Sequence, residues 1–364
     1  MVAQGARRTQ GARHKARITR STRRSLLWRL REGARGAHAF AASAAAAAAI
    51  VASAAAATSR TVAAVTAATA AAAPTGVAVH TAVSLPPAGR GPRDAILERL
   101  REMAARGEPI IGAGAGTGIS AKFEEAGGAD LIVVYNSGRF RMGGHGSLAG
   151  LLPFKDANAV MLEMGEEILP VLRRTPLLAG VCATDPFRRM DKLLETVKAL
   201  GFAGTQNFPT VGLMDGVFRQ NLEETGMSYS LEVDMIRLSR ALGLLTTPYA
   251  FNVREARQMA AAGADVVVAH MGLTTKGSIG ASTALTLDES VARVQQIADA
   301  ALEVNPHVLV LTHGGPISMP EDAEYVQTRT ANVHGFYGAS SMERLPVETA
   351  ITEQIRQFKR IRMS

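Results

Sequence analysis

The sequence predicts an α/β protein, a (β/α)8 TIM barrel with a low-complexity N-terminal extension. Three observations carry that expectation. Short apolar runs alternate with helical patterns eight times between Pro109 and Lys359. Runs that are apolar on both faces suit buried parallel strands. The last two, Val308–Thr312 and Val333–Tyr337, run straight into glycine, at His313-Gly314-Gly315-Pro316 and Gly338-Ala339-Ser340-Ser341. The loops after strands seven and eight of such barrels commonly cradle phosphate. Finally, the composition changes abruptly near residue 92.

That change sets the domain boundary, with an Arg/Ala-rich extension at 1–92 and the barrel at 93–364. The 364 residues carry 40 basic and 32 acidic side chains. Thirteen of the basic residues but only one acid, Glu32, precede residue 91. This leaves 27 basic and 31 acidic groups beyond it, a net −4. The barrel is therefore expected to bind no nucleic acid, having no general attraction to phosphates. Residues 41–73 hold 21 alanines. The extension reads first as a low-complexity tail from a start codon placed too far upstream. A transit peptide, Arg-rich and acid-poor, is the alternative. A membrane segment at Phe40–Ala57 ranks last, because alanine is barely apolar and Ser43 and Ser53 interrupt it. A cytoplasmic barrel without membrane contact is expected, with organelle targeting by the extension as the alternative. The single cysteine, Cys182, excludes an intrachain disulfide and a cysteine-based zinc site.

Each element then follows in order. A lead-in helix, Asp94–Arg106, is expected to plug the barrel bottom. Strands are predicted at Pro109–Gly112, Asp130–Tyr135, Leu177–Cys182, Phe202–Asn207, Gly243–Pro248, Asp265–His270, Val308–Thr312 and Val333–Tyr337. The intervening helices end with helix eight at Pro346–Lys359. Three stretches read as long loops: Asn136–Ser147, Phe208–Tyr229 and Met271–Thr286, the last a lid with Lys276 closing over an anion. An internal repeat supports the register. Glu124–Tyr135 resembles Met259–His270, each a helix end, a glycine, an aspartate and a strand. Asp130 and Asp265 thus fall at the barrel bottom and are read as structural.

Polar groups at the strand ends make the candidate site. His270 and His313 end successive strands and should lie within about 10 Å of each other. Either suits a general base or a metal ligand, against a plain hydrogen-bonded core histidine. Asn136, Arg139, Asp185, Asn207, Ser340, Ser341, Glu343 and Arg344 surround them. Gly114 and Gly116, within Gly112–Gly118, offer backbone N–H groups to an anion or make a tight turn. Asp185 with Glu223 and Glu224 could hold a divalent cation such as Mg²⁺, against a plain acidic helix end. Cys182 is read as buried and structural.

The strings G-A-G-A-G-T-G-I-S-A-K, N-S-G-R-F-R-M, L-A-G-V-C-A-T-D-P-F-R, V-A-H-M-G-L-T-T, T-H-G-G-P-I-S and H-G-F-Y-G-A-S-S-M-E-R-L-P resemble the phosphoenolpyruvate hydrolase-like family of TIM barrels. The resemblance covers about Asp94–Met363. It implies a hydrolase or lyase acting on a small phosphorylated or carboxylated metabolite. His270, His313, Asp185 and Glu224 are then the catalytic candidates. Gly114, Gly116, Asn136, Arg139, Asn207, Gly314, Gly315, Gly338, Ser340, Ser341 and Arg344 are the anion-binding ones. The family also includes the C-terminal half of plant tobamovirus-resistance proteins, where an ATP-binding domain precedes it. Partner expectations are therefore a small anionic metabolite, a second copy of the chain, or an ATP-binding companion. The usual metal-binding acidic strings of the related mutases and lyases are not found. A non-catalytic barrel that senses a ligand or engages a protein is the alternative function.

Overall fold

A run apolar on both faces must be covered on both, and eight such runs in parallel close on themselves. The computed structural model describes residues 92–363. Its strands are β1 (Ile110–Gly114), β2 (Leu131–Val134), β3 (Leu177–Gly180), β4 (Gly204–Gln206), β5 (Leu245–Thr246), β6 (Tyr249–Ala250), β7 (Val266–His270), β8 (Leu309–His313) and β9 (Gly335–Gly338). All pair in parallel, in the order β5-β4-β3-β2-β1-β9-β8-β7-β6.

The two ends of that list are one strand. β5 and β6 are separated only by Thr247 and Pro248, and proline has no N–H for a ladder. β5 pairs with β4, and Thr247 N donates to Thr205 O. β6 pairs with β7, and Val268 N donates to Pro248 O. Barrel strand five thus joins both ends of the sheet, and the eight-stranded TIM barrel closes as the sequence predicted.

The barrel bottom follows the repeat. Gly128 and Gly263, equivalent in the two copies, both take positive φ, which turns the chain into the next strand. The aspartates two residues on meet the lead-in helix, observed at Pro92–Ala105. Arg99 bonds Asp130, and Arg93 bonds Asp265. Asp130 accepts from Ile111 N, and Asp265 from Thr246 N and Arg240. These carboxylates fasten strand starts to the plug, a structural role.

Two expected loops are partly helical. Asn136–Met142 forms a helix and Ser147–Leu151 a 3-10 turn. Gly138 within that helix is required by close packing: a Cβ there would lie 2.8 Å from Ala115 O. Within Phe208–Tyr229, the run Gly216–Glu224 is also a helix. Both additions lie at the C-terminal ends of strands, where they roof the barrel. The calls on the extension fall on residues outside those described. No helix among the described residues is long and apolar enough to cross a membrane.

Asp265 is buried and paired with Arg93 and Arg240. Asp265→Asn is expected to destabilise the barrel by roughly 3 kcal/mol or more, as removing one partner of a buried pair does. Ligand affinity at the opposite end should stay unchanged. Urea unfolding beside a ligand titration checks both.

Candidate active site at the mouth of the barrel

His270 ends β7 and His313 ends β8, and the two are partners in register. Their side chains therefore leave the sheet on the same side, with ring centroids 4.4 Å apart. Tyr249 lies 4.8 Å from the first ring and 4.9 Å from the second, and Phe251 lies 4.7 Å from His270. The separation is well inside the 10 Å that strand spacing allowed.

Hydrogen bonds fix which nitrogen carries each proton. Gly272 N donates to His270 Nδ1 at 3.0 Å, so that nitrogen is bare and Nε2 holds the proton. His313 Nδ1 lies against the Tyr337 carbonyl, which can only accept, so Nδ1 holds the proton and Nε2 is bare. The pair is one donor beside one acceptor. Both are buried, and burial disfavours the charged ring. Burial, with His313 nearby, takes His270 well below its ordinary value. Burial also lowers His313, against the Tyr337 carbonyl and with help from Arg141, to about 4. Both rings are neutral at pH 7.

They line a hollow of about 30 Å³ together with Tyr135, Ser137, Arg141, Thr274 and Ser340. That is room for one or two waters. Leu148, Leu213 and Leu273, from three different loops, also line it. A metabolite enters only when these loops move.

The cation at the hollow is Arg141, not Arg139. In a helix these positions point about 200° apart. Arg139 turns outward to Glu167 at 2.6 Å and is over a third exposed. Arg141 is buried, donating to Glu343 Oε2 at 2.9 Å and Gly114 O at 2.8 Å. Burial alone would lower its pKa, but the Glu343 charge overrides this and raises it. No composition signal separates the two arginines of R-F-R; only the helical phase does.

The glycine nest at Gly114–Gly118 holds anions, but they belong to the chain itself. Gly116 N donates to Glu343 Oε1 at 2.6 Å and Gly118 N to Glu167 Oε1 at 3.0 Å. Gly116 is required because a Cβ would lie 2.2 Å from Gly138 O. Gly314 and Gly315 take positive φ and pack against the loop after β7. A Cβ would lie 2.4 Å from Gly272 O at the first and 2.5 Å from Met271 O at the second. They shape the backbone and do not face an open cradle, so a valine at 314 disturbs the fold as well as any ligand. Gly338 packs against Phe336 and Met342.

The remaining candidates divide. Ser340 lines the hollow, whereas Ser341 lines a separate hollow outside the barrel. Asn136 is buried and donates to Gly150 O. Asn207 ties β4 to β6, accepting from Tyr249 N at 2.7 Å and donating to Glu232 at 2.6 Å. Arg344 reaches Glu348 and Lys276 O, away from the hollow. Lys276 pairs with Asp322 and does not close over the mouth. Asp185 is held by Asn158, Arg188 and Phe187 N. Glu223 pairs with Arg219, and exposed Glu224 bonds Gln220. The three carboxylates do not converge. Sequence reasoning also missed Glu232. It is fully buried between Thr210, Asn207 and Val211 N, and burial lifts it to about 8 against those donors. Cys182 is partly exposed, not fully buried as the sequence suggested, and burial of its thiol raises its pKa.

Residues 95–361 match the model of the phosphoenolpyruvate hydrolase-like family. The chain belongs to this family. Two relatives from Solanum lycopersicum, the ToMV susceptible protein tm-1(GCR26) and the ToMV resistance protein Tm-1(GCR237), are each 68% identical over 271 residues. The match covers 74% of this chain and 36% of theirs, so the chain spans about a third of these relatives' length. Among solved structures, phosphonopyruvate hydrolase in complex with oxalate and Mg²⁺ aligns with TM-score 0.47 and 16% identity, over 73% of this chain and 87% of that one. 2,3-Dimethylmalate lyase aligns with TM-score 0.47 and 16% identity, over 73% and 88%.

Two outcomes are expected for this family member. Arg141→Gln leaves Glu343 buried without its cation and should cost roughly 3–5 kcal/mol. Arg139→Gln removes an exposed pair and should cost below about 1 kcal/mol. Equal urea midpoints for the two variants would contradict the assignment. Acid should weaken the contribution of His313 to stability. An unfolded histidine protonates near pH 6.5, whereas folded His313 does so near 4. Between those values this residue binds more proton in the unfolded chain, so its contribution falls as pH drops from about 6.5 to about 4, while buried Glu232 and Glu124, each held at about 8, contribute with the opposite sign above about 4.5. The urea midpoint of the wild type relative to His313→Gln should therefore fall as pH drops across the window.

Proposed function

We propose that the barrel is catalytic and cleaves a small carboxylated or phosphorylated metabolite by hydrolysis or lyase-type chemistry. The observation that carries this reading is the neutral histidine pair with opposite tautomers on one hollow. Bond cleavage of this kind needs a proton removed at one atom and delivered at another. Bare Nε2 of His313 is the acceptor and protonated Nε2 of His270 the donor. The Arg141 guanidinium, with hydroxyls from Ser137, Thr274 and Ser340, faces the anion.

A divalent cation, as in the phosphonopyruvate hydrolase structure, does not suit this donor set. Such ions take several carboxylate or carbonyl oxygens. Among the described residues no group of three or more His, Cys, Asp or Glu side chains is placed to hold a metal. Glu343 is committed to Arg141 and Gly116 N, Glu232 to Thr210, Asn207 and Val211 N, and Asp185 to Arg188 and Asn158.

The test is a thermal-shift screen of phosphorylated and carboxylated C3–C6 acids, with turnover of each hit followed by NMR. His313→Gln should keep binding but lose turnover by about 10²–10⁴-fold, the usual contribution of a general base. Binding should also take up protons, because an anion beside the rings favours their charged form. Calorimetry in buffers of different ionisation enthalpy measures that uptake. Ligands that bind without turnover by the wild type support a sensing barrel instead. Full turnover by His313→Gln removes that residue from the chemistry.

A further inference from the structure

Barrel strand five breaks at Pro248, and the residue after the break is held by side chains. On the β7 side the ladder continues, with Tyr249 paired to Val268. On the β4 side the Asn207 side chain replaces it. Tyr249 N donates to Asn207 Oδ1 at 2.7 Å, and Tyr249 O accepts from Tyr229 Oη at 2.5 Å and Asn207 Nδ2 at 3.4 Å. Asn207 also donates to Glu232, which accepts from Thr210 Oγ1 and Val211 N as well. Asn207, Tyr229 and Glu232 are all buried. Buried polar side chains are tolerated when their bonds are satisfied, and they then fix geometry. What this network fixes is the main chain of Tyr249. The chemistry assigned to the histidines makes no use of it.

Tyr249 is 1% exposed and lines the hollow. Its ring stands edge-on to His270, with centroids 4.8 Å apart, and lies 4.9 Å from His313. Burial, with Tyr135 and Tyr337 nearby, takes its hydroxyl well above the ordinary phenol value despite Arg141, so the hydroxyl keeps its proton. Yet that hydroxyl has no hydrogen-bond partner among the described residues. A buried phenol normally has one. A residue whose main chain is held by three hydrogen bonds thus carries, at the hollow, a donor that the fold itself does not use.

We propose that Tyr249 is a further catalytic residue, whose hydroxyl donates a hydrogen bond to the substrate oxygen on which negative charge develops. This rests on the catalytic reading of the hollow. Hydrolysis and lyase-type cleavage both build charge on an oxygen as the bond breaks, and a fixed donor in a site closed to water stabilises that charge without reorganising. No bond to Tyr249 forms or breaks. Its proton stays on the phenol, so the proton balance remains with the two histidines. Asn207, Tyr229 and Glu232 are positioning residues, acting through the Tyr249 main chain.

Phenylalanine variants of the full chain test this in the same screen of C3–C6 acids, read by NMR turnover and by urea unfolding. Tyr249→Phe removes the oxygen and keeps the ring. It should leave KM nearly unchanged and lower kcat by about 10²–10³-fold, the usual effect of losing one such donor. Its urea midpoint should equal or exceed that of the wild type, because the hydroxyl makes no bond within the fold. Tyr337→Phe removes an equally unpartnered hydroxyl that does not line the hollow, and should turn over like the wild type. Tyr229→Phe should lower kcat in the wild-type background and leave it unchanged in the Tyr249→Phe background, which simple destabilisation would not do. Wild-type kcat in Tyr249→Phe overturns the inference and leaves the catalytic reading standing. A lowered urea midpoint for that variant, or its failure to fold, assigns the hydroxyl to the fold and overturns the inference too. Equal losses of kcat in Tyr249→Phe and Tyr337→Phe do the same, and additive losses with Tyr229→Phe remove the positioning role. A wild type that turns over none of the acids overturns the catalytic reading and this inference with it.

Discussion

The mouth of this barrel depends on one buried ion pair. Arg141 comes from the helix after β2 and Glu343 from the turn after β9, and β1 lies between them. Glu343 holds Arg141 with one oxygen and Gly116 N with the other, while Arg141 also holds Gly114 O. Three strand ends are clamped around two side chains that are at most 1% exposed. Taking two charges out of water is unfavourable, and such a pair persists only when its remaining hydrogen bonds are satisfied. Here backbone groups from Gly114 and Gly116 satisfy them. The close glycines of this segment follow from that demand, because Gly116 and Gly138 must approach until a Cβ would overlap backbone. The neighbouring Glu124 shows the same economy of charge. Burial, with Glu343 nearby, lifts it to about 8 despite Arg141, so it stays protonated where one cation already serves one carboxylate.

Much of the fold was legible because barrel strands obey a simple rule. A run buried on both faces must be apolar throughout, and β7 and β8 are almost entirely so before their histidines. The repeat located Asp130 and Asp265 correctly, since a left-handed glycine followed by an aspartate is a local signal. The roof was less legible. Asn136–Met142 contains a glycine and no apolar stripe, so nothing local marks it as a helix. Reading it as a loop also selected Arg139 over Arg141, because helical phase alone distinguishes them.

The site was legible to the extent that it rests on strand ends. His270 and His313 were placed by register, which the strands dictate. The glycines of the two following loops pointed to an anion cradle, whereas Gly314 and Gly315 serve close backbone packing and Gly116 binds a carboxylate of its own chain. A glycine signals that backbone comes close to something; the sequence does not say whether that is a ligand or another strand. The acidic candidates failed for a related reason. Asp185, Glu223 and Glu224 each find a partner within a few residues, as charged side chains near helix ends commonly do.

The electrostatics of the mouth decide what kind of recognition is open to it. The one cation at the hollow is already neutralised by Glu343, and both histidines are uncharged at pH 7. The barrel as a whole carries a net −4. Long-range attraction therefore contributes little, and an anion must be held by short contacts once the capping loops have parted. Those contacts change the site. A negative charge beside His313 opposes the burial that keeps its pKa near 4 and makes the ring a stronger base. A free imidazole of pKa 4 removes protons poorly, whereas one raised towards neutrality suits the task. Burial thus keeps the pair uncharged in the empty barrel, and the ligand's own charge brings the base to strength.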